Sequence, residues 1–105
     1  MFAYNNIGDR MISSITVSEL LTYRGLNIID IRSEQSYNNN HIPGAINIPF
    51  EKLIIEPSKY LKKDQKYFLY CTRGITSLKT CKILAIQGYK MVNIIGGYEE
   101  WILKK

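Results

Sequence analysis

The stretch "KYFLYCTRGITSLKTCKILAIQG", residues 66–88, changes periodicity twice. Its opening KYFLYC (66–71) is a short aromatic and apolar run, the pattern of a strand covered on both faces. TRGIT then interrupts the run with a glycine. From Ser77 to Gln87, Leu78, Cys81, Leu84 and Ala85 recur at helical spacing, with Gly88 where a helix would end. The stretch therefore predicts strand, tight loop and helix, with Cys71 at the carboxyl end of the strand.

Working outward, three further runs have strand character: NIIDI (27–31), AINIP (45–49) and MVNII (91–95). Helical segments lie between them. Thr16 and Glu19 have capping-box spacing before Leu20 and Leu21, and Gly25 can end that helix. Ser33 can cap a short turn through Tyr37, which NNN at 38–40 breaks. Phe50, Leu53 and Ile54 share a helical face before Pro57, and Tyr60 and Leu61 close a second short turn. A last helix follows Gly96 and Gly97, with Tyr98, Trp101 and Ile102 on one face. Strands alternating with helices predict an α/β fold: an open, mainly parallel sheet of four to five strands with helices on both faces. In such folds ligands meet the carboxyl ends of strands, which is where Cys71 falls.

At 105 residues, 46% of them hydrophobic, the chain suits one domain with its own core, assigned to residues 14–105. Residues 1–13 lack clear periodicity and are assigned as an N-terminal arm or extension. Two cysteines are too few for a disulfide framework, and no Cys/His cluster has metal-site spacing, so neither metal nor organic cofactor is expected. The net charge of +5 comes from scattered lysines, not from a basic stripe with interleaved aromatics, so no nucleic-acid partner is expected. No run has signal-peptide or membrane-span character, so the expected location is the cytoplasm, without a membrane partner.

If the loop CTRGIT joins the strand to the helix, Gly74 lets its N–H groups curl inward. They then form an anion-binding nest at the positive end of the helix. A thiolate at Cys71 would fit that nest. A free thiol with its ordinary pKa of ~8.5 is only about 3% ionised at neutral pH. A helix dipole supplies too little to change this alone, so the loop amides, the Arg73 charge and the hydroxyls of Thr76 and Ser77 have to contribute. Two readings of Cys71 stay open on these grounds: a nucleophile, or a small apolar residue ending a buried strand. Cys81 lies on the apolar stripe of the helix and reads as core.

Three segments, IIDIRSEQSYNNNHIPGAINIPF, CTRGITS and GGYEEW, resemble in order the signatures of the rhodanese family over about residues 14–102. The resemblance implies a sulfurtransferase in which Cys71 takes sulfane sulfur from a small donor such as thiosulfate or a persulfide. The sulfur is held as a Cys71 persulfide and passed to a thiol, cyanide or protein acceptor. Thr72, Arg73, Gly74, Ile75, Thr76 and Ser77 then form the substrate cradle. Asp30 and Arg32, matching the family's Asp-x-Arg, support the loops through an ion pair. His41, in HIPGA, is expected to fix a turn by a hydrogen bond, with Pro43 and Gly44 as turn residues; Trp101 is expected to pack the last helix. Many thiosulfate-using members have a basic residue directly after the cysteine or at the sixth loop position, where this chain has Thr72 and Thr76. A persulfide donor is the alternative to thiosulfate. Two rivals remain: a Cys-x5-Arg phosphatase, whose arginine position is Ser77 here, and a non-catalytic rhodanese-like interaction or regulatory module.

Overall fold

The computed structural model describes residues 12–105. Its elements run β1 (Ser13–Ile15), α1 (Val17–Leu20), β2 (Asn27–Asp30), α2 (Glu34–Asn39), β3 (Ile46–Asn47), α3 (Phe50–Ile55), a 3-10 turn (Pro57–Lys59), β4 (Lys66–Tyr70), α4 (Ile75–Ile86), β5 (Lys90–Ile94) and α5 (Gly97–Lys104). The strands form one sheet in the order β1-β5-β4-β2-β3, and every neighbouring pair is parallel. β4 is central, flanked by β2 and β5.

Because side chains alternate across a strand, each strand feeds two layers. Tyr67 and Leu69 of β4, with Cys71 directly after it, join Met91 of β5, Leu53 of α3, and Cys81 and Leu84 of α4 in one buried cluster. Phe68 and Tyr70 point the other way, joining Val92, Ile94, Val17 and Leu20 of α1 and Trp101 of α5. Helices thus cover both faces, as the alternation predicts. The parity that places Leu69 beneath α4 also brings the Cys71 side chain to that layer.

The fifth strand is β1, which the sequence pattern leaves unassigned. Its three residues, SSI, are too short and too exposed to register as an apolar run, and pairing with β5 makes it a strand. The N-terminal arm expected over 1–13 lies, through residue 11, outside the described residues; Ser13 opens β1. α1 stops at Leu20, well before Gly25, while most other boundaries move by one or two residues. α4 begins at Ile75 rather than near Ser77, because Gly74, at φ +91°, already serves as its N-cap. It ends as predicted: the amide of Gly88 bonds Ala85 and that of Tyr89 bonds Leu84, the paired closure of a left-handed C-terminal cap. The Thr16–Glu19 capping box is present in full. Among the described residues no helix is long and apolar enough to cross a membrane.

Candidate active site

Cys71 is 8% exposed, and its Sγ lies at the mouth of the α4 helix. The Gly74 amide donates to Sγ at 3.1 Å and the Ser77 amide at 3.3 Å. Both donors have a structural origin. Gly74 is the N-cap, and Ser77 is third in the helix, among the first-turn N–H groups that have no intrahelical acceptor. The sulfur accepts what the helix leaves unpaired. Ser77 Oγ lies 3.4 Å from Sγ and donates to Asn93 Oδ1 at 2.6 Å.

The loop holds this shape because its carbonyls are bonded on the opposite side. The first turn of α5 sends the amide of Tyr98 to the Cys71 oxygen at 2.9 Å and that of Glu99 to the Thr72 oxygen at 3.0 Å. With carbonyls turned to α5, amides turn to the sulfur. This contact needs glycines. A Cβ at Gly97 would collide with the Cys71 carbonyl oxygen, and one at Gly74 would stand 2.9 Å from the Gly96 nitrogen.

A cavity of about 760 Å³ opens over the sulfur, lined in part by Arg32, Phe50, Glu51, Thr72, Arg73 and Ile75. Ser77 and Gly74 are buried beneath it, while Thr72, Arg73, Ile75 and Thr76 have exposed side chains around its rim. Of the predicted cradle, only Gly74 and Ser77 therefore bond Sγ directly. Ile75 and Thr76 belong to the first turn of α4, not to a loop.

Asp30 and Arg32 form the expected ion pair, Nη2 to Oδ2 at 2.7 Å, with side chains 0% and 8% exposed. The Arg32 amide and Nε also donate to Asp30, and Nη2 reaches the Asn40 carbonyl. Burial works against the Arg32 charge, but hydrogen bonds and charge from Asp30 outweigh it and raise the group above its ordinary value. The Arg32 guanidinium carbon lies 4.0 Å from the centroid of the Tyr98 ring. Tyr70 Oη donates to Asp30 at 2.6 Å and accepts from the Ile42 amide. Burial, then Asp30, raises the Tyr70 phenol well above its usual range. His41 Nδ1 bonds the Tyr37 carbonyl at 2.9 Å and its ring stacks on Tyr37, the turn-fixing role expected of it. Cys81 is fully buried, and burial, with Cys71 second, pushes its thiol up to about 12.

A family model for the rhodanese-like domain matches residues 16–104. This chain belongs to the rhodanese-like domain family. The rhodanese-like domain is 36% identical over 93 residues to the thiosulfate sulfurtransferase GlpE of Coxiella burnetii (strain RSA 493), covering 88% of this chain and 86% of that one. Among solved structures, a rhodanese-related protein from Thermoplasma volcanium superposes with a TM-score of 0.80 at 29% identity, covering 88% of this chain and 92% of that one. A rhodanese-like domain protein from Staphylococcus aureus gives 0.77 at 29%, covering 85% and 90%.

Sequence reasoning missed four residues of this rhodanese-like site: Tyr70, Glu51, Gly97 as a contact, and Asn93. The last had a signal, since it is the one polar residue inside the run MVNII.

Proposed function

We propose that this domain is a sulfurtransferase that carries sulfane sulfur on Cys71, with Asp30 and Arg32 supporting the loop. Relatives named as sulfurtransferases favour the activity class. The observation that carries the assignment of Cys71 is the convergence of the Gly74 and Ser77 amides on its Sγ beneath an open cavity. Such donors favour an ionised sulfur over a neutral one and need no reorganisation when charge develops there.

In the first half-reaction the Cys71 thiolate attacks the outer sulfur of the donor. A new S–S bond forms, the donor's own S–S bond breaks, and the leaving group departs with the electron pair, as sulfite when the donor is thiosulfate. Cys71 then holds a persulfide anion. In the second, a thiol, cyanide or protein nucleophile bonds the terminal sulfur and Cys71 leaves as thiolate. His41, fixed against Tyr37, has no part in either step.

Cavity chemistry favours a persulfide donor over thiosulfate. Arg73 and Glu51 line the same cavity with opposite charges, the Arg32 guanidinium there is already paired with Asp30, and Ile75 and Phe50 add apolar surface. A dianion gains little from that balance; a monoanion with an organic body gains more. Intact mass after incubation with thiosulfate or with a low-molecular-weight persulfide tests the proposal. Wild type is expected to gain one sulfur atom, faster from the persulfide, and Cys71→Ser none. Wild type that gains no sulfur from either donor would be an interaction module instead.

A further inference from the structure

Asn93 is a buried polar residue, 4% exposed, in a strand whose other buried residues are Met91, Val92 and Ile94. Burying an amide in such a strand is costly unless it is bonded. Its Oδ1 takes the hydroxyl proton of Ser77 at 2.6 Å, and Ser77, fully buried, turns the same oxygen towards Cys71 Sγ at 3.4 Å. The three groups form a directed chain. The thiol proton points to the serine oxygen, and the serine proton points to the asparagine oxygen.

A serine hydroxyl has one proton and can serve only one acceptor at a time. While Asn93 Oδ1 holds it, Ser77 can accept from a neutral Cys71 thiol but cannot donate to an ionised one. An amide has a second face: turned over, Asn93 presents N–H to Ser77 Oγ and releases the hydroxyl proton towards the sulfur. A hydroxyl that is itself a hydrogen-bond acceptor is also a stronger donor. An asparagine can therefore support the serine in both states, as no apolar residue, which can neither accept nor donate, and no carboxylate, which can only accept, can.

We propose that Asn93 is a positioning residue for Cys71 that acts through Ser77, letting the serine hydroxyl accept from the neutral thiol and donate to the sulfur anion or its persulfide. The proposal rests on the reading of Cys71 as the reacting sulfur. Its test does not require sulfur transfer to occur.

The pH dependence of Cys71 alkylation by iodoacetamide, mapped by mass spectrometry, is compared in wild type, Asn93→Leu, Ser77→Ala and the double variant. Asn93→Leu leaves the serine hydroxyl with no partner to orient it or strengthen its bond to the sulfur, and that strengthening is worth more to the anion, because bonds to charged acceptors are about twice as strong. Asn93→Leu is expected to lower the alkylation rate below the midpoint roughly threefold to tenfold and to move the midpoint to higher pH. In the Ser77→Ala background the same substitution is expected to change neither, since the path to the sulfur is already broken. An unmoved midpoint in Asn93→Leu overturns the proposal, as does a shift of equal size in both backgrounds. Asn93→Val, equally unable to accept or donate, replaces the leucine variant should that not fold by circular dichroism. The Ser77→Ala cycle is then read in the same way. Failure of sulfur loading with an intact coupling would count against the sulfurtransferase reading alone.

Discussion

The amide of Tyr98 donates to the carbonyl of Cys71 at 2.9 Å, so the start of α5 is fastened to the backbone of the residue that carries the sulfur. Gly97 makes that approach possible, since a side chain there would occupy the position of the Cys71 oxygen. Gly97→Ala is expected to cost at least ~2 kcal/mol, from a left-handed conformation at an alanine plus displacement of the loop. Gly25 is the control. Its φ is +72° but nothing lies within 4 Å of a Cβ, so Gly25→Ala bears the conformational cost alone. Urea melts of both variants measure the difference, and equal losses would deny the close contact any importance.

Removing one member of the buried ion pair should cost more than removing its tyrosine neighbour. Asp30→Ala leaves the Arg32 guanidinium, 8% exposed, without its carboxylate, for an expected loss of ~3–5 kcal/mol. Tyr70→Phe takes away two bonds, the one to Asp30 and the one from the Ile42 amide, while Asp30 keeps its contacts with Arg32, for a loss of ~1–3 kcal/mol. Chemical denaturation orders the two, and the reverse order would mean that the tyrosine anchors the network.

Burial of Cys81 is expected to make the fold sensitive to alkali. Its folded pKa, pushed up to about 12, lies above the ordinary thiol value. Below about pH 8.5 both folded and unfolded chains hold the proton, and nothing is lost. Above it the unfolded chain releases a proton that the folded chain retains, so stability falls with rising pH by up to ~1.4 kcal/mol per unit. Tyr70 adds a loss of the same sign at higher pH still. Denaturant midpoints between about pH 8.5 and 10 should decline more steeply in wild type than in Cys81→Ala. Parallel declines would show that Cys81 is not the group responsible.

Arg73 and Glu51 face one cavity with opposite charges. Arg73→Ala is expected to lower kcat/KM with thiosulfate roughly tenfold and with a monoanionic persulfide roughly threefold or less. Glu51→Gln should move both in the opposite direction. Steady-state rates on the two donors give the ratios. Equal losses with both donors in Arg73→Ala would remove charge as the basis of donor choice.

Much of this was readable in the chain because it rests on local rules. Thr16 with Glu19, Gly74 before a helix, and Gly88 after one announce themselves by type and spacing, and the apolar runs of β2, β4 and β5 stand out by composition. What could not be read depends on partners distant in sequence. β1 exists because β5 offers it an edge. The orientation of the amides of Gly74 and Ser77 depends on carbonyl bonds to residues 98 and 99. Asn93 acquires its place only when β5 passes beneath α4 and brings it within 2.6 Å of Ser77 Oγ. A nest of loop amides around the sulfur is legible in the pattern, but that the Ser77 amide joins it while the Ser77 hydroxyl turns to Asn93, and that Ile75 and Thr76 belong to the helix, is not. A single positive-φ glycine closes the loop in fewer residues than the pattern suggested.

The direct donors to Sγ at Gly74 and Ser77 are main-chain atoms, whereas the side chains of Thr72, Arg73, Ile75 and Thr76 stand outside it on the rim. On the proposed function, reactivity and selectivity would then rest on separate atoms. Randomising those four positions in a library should yield variants with new donor preferences that keep a competent nucleophile, which makes this loop a tolerant starting point for laboratory evolution.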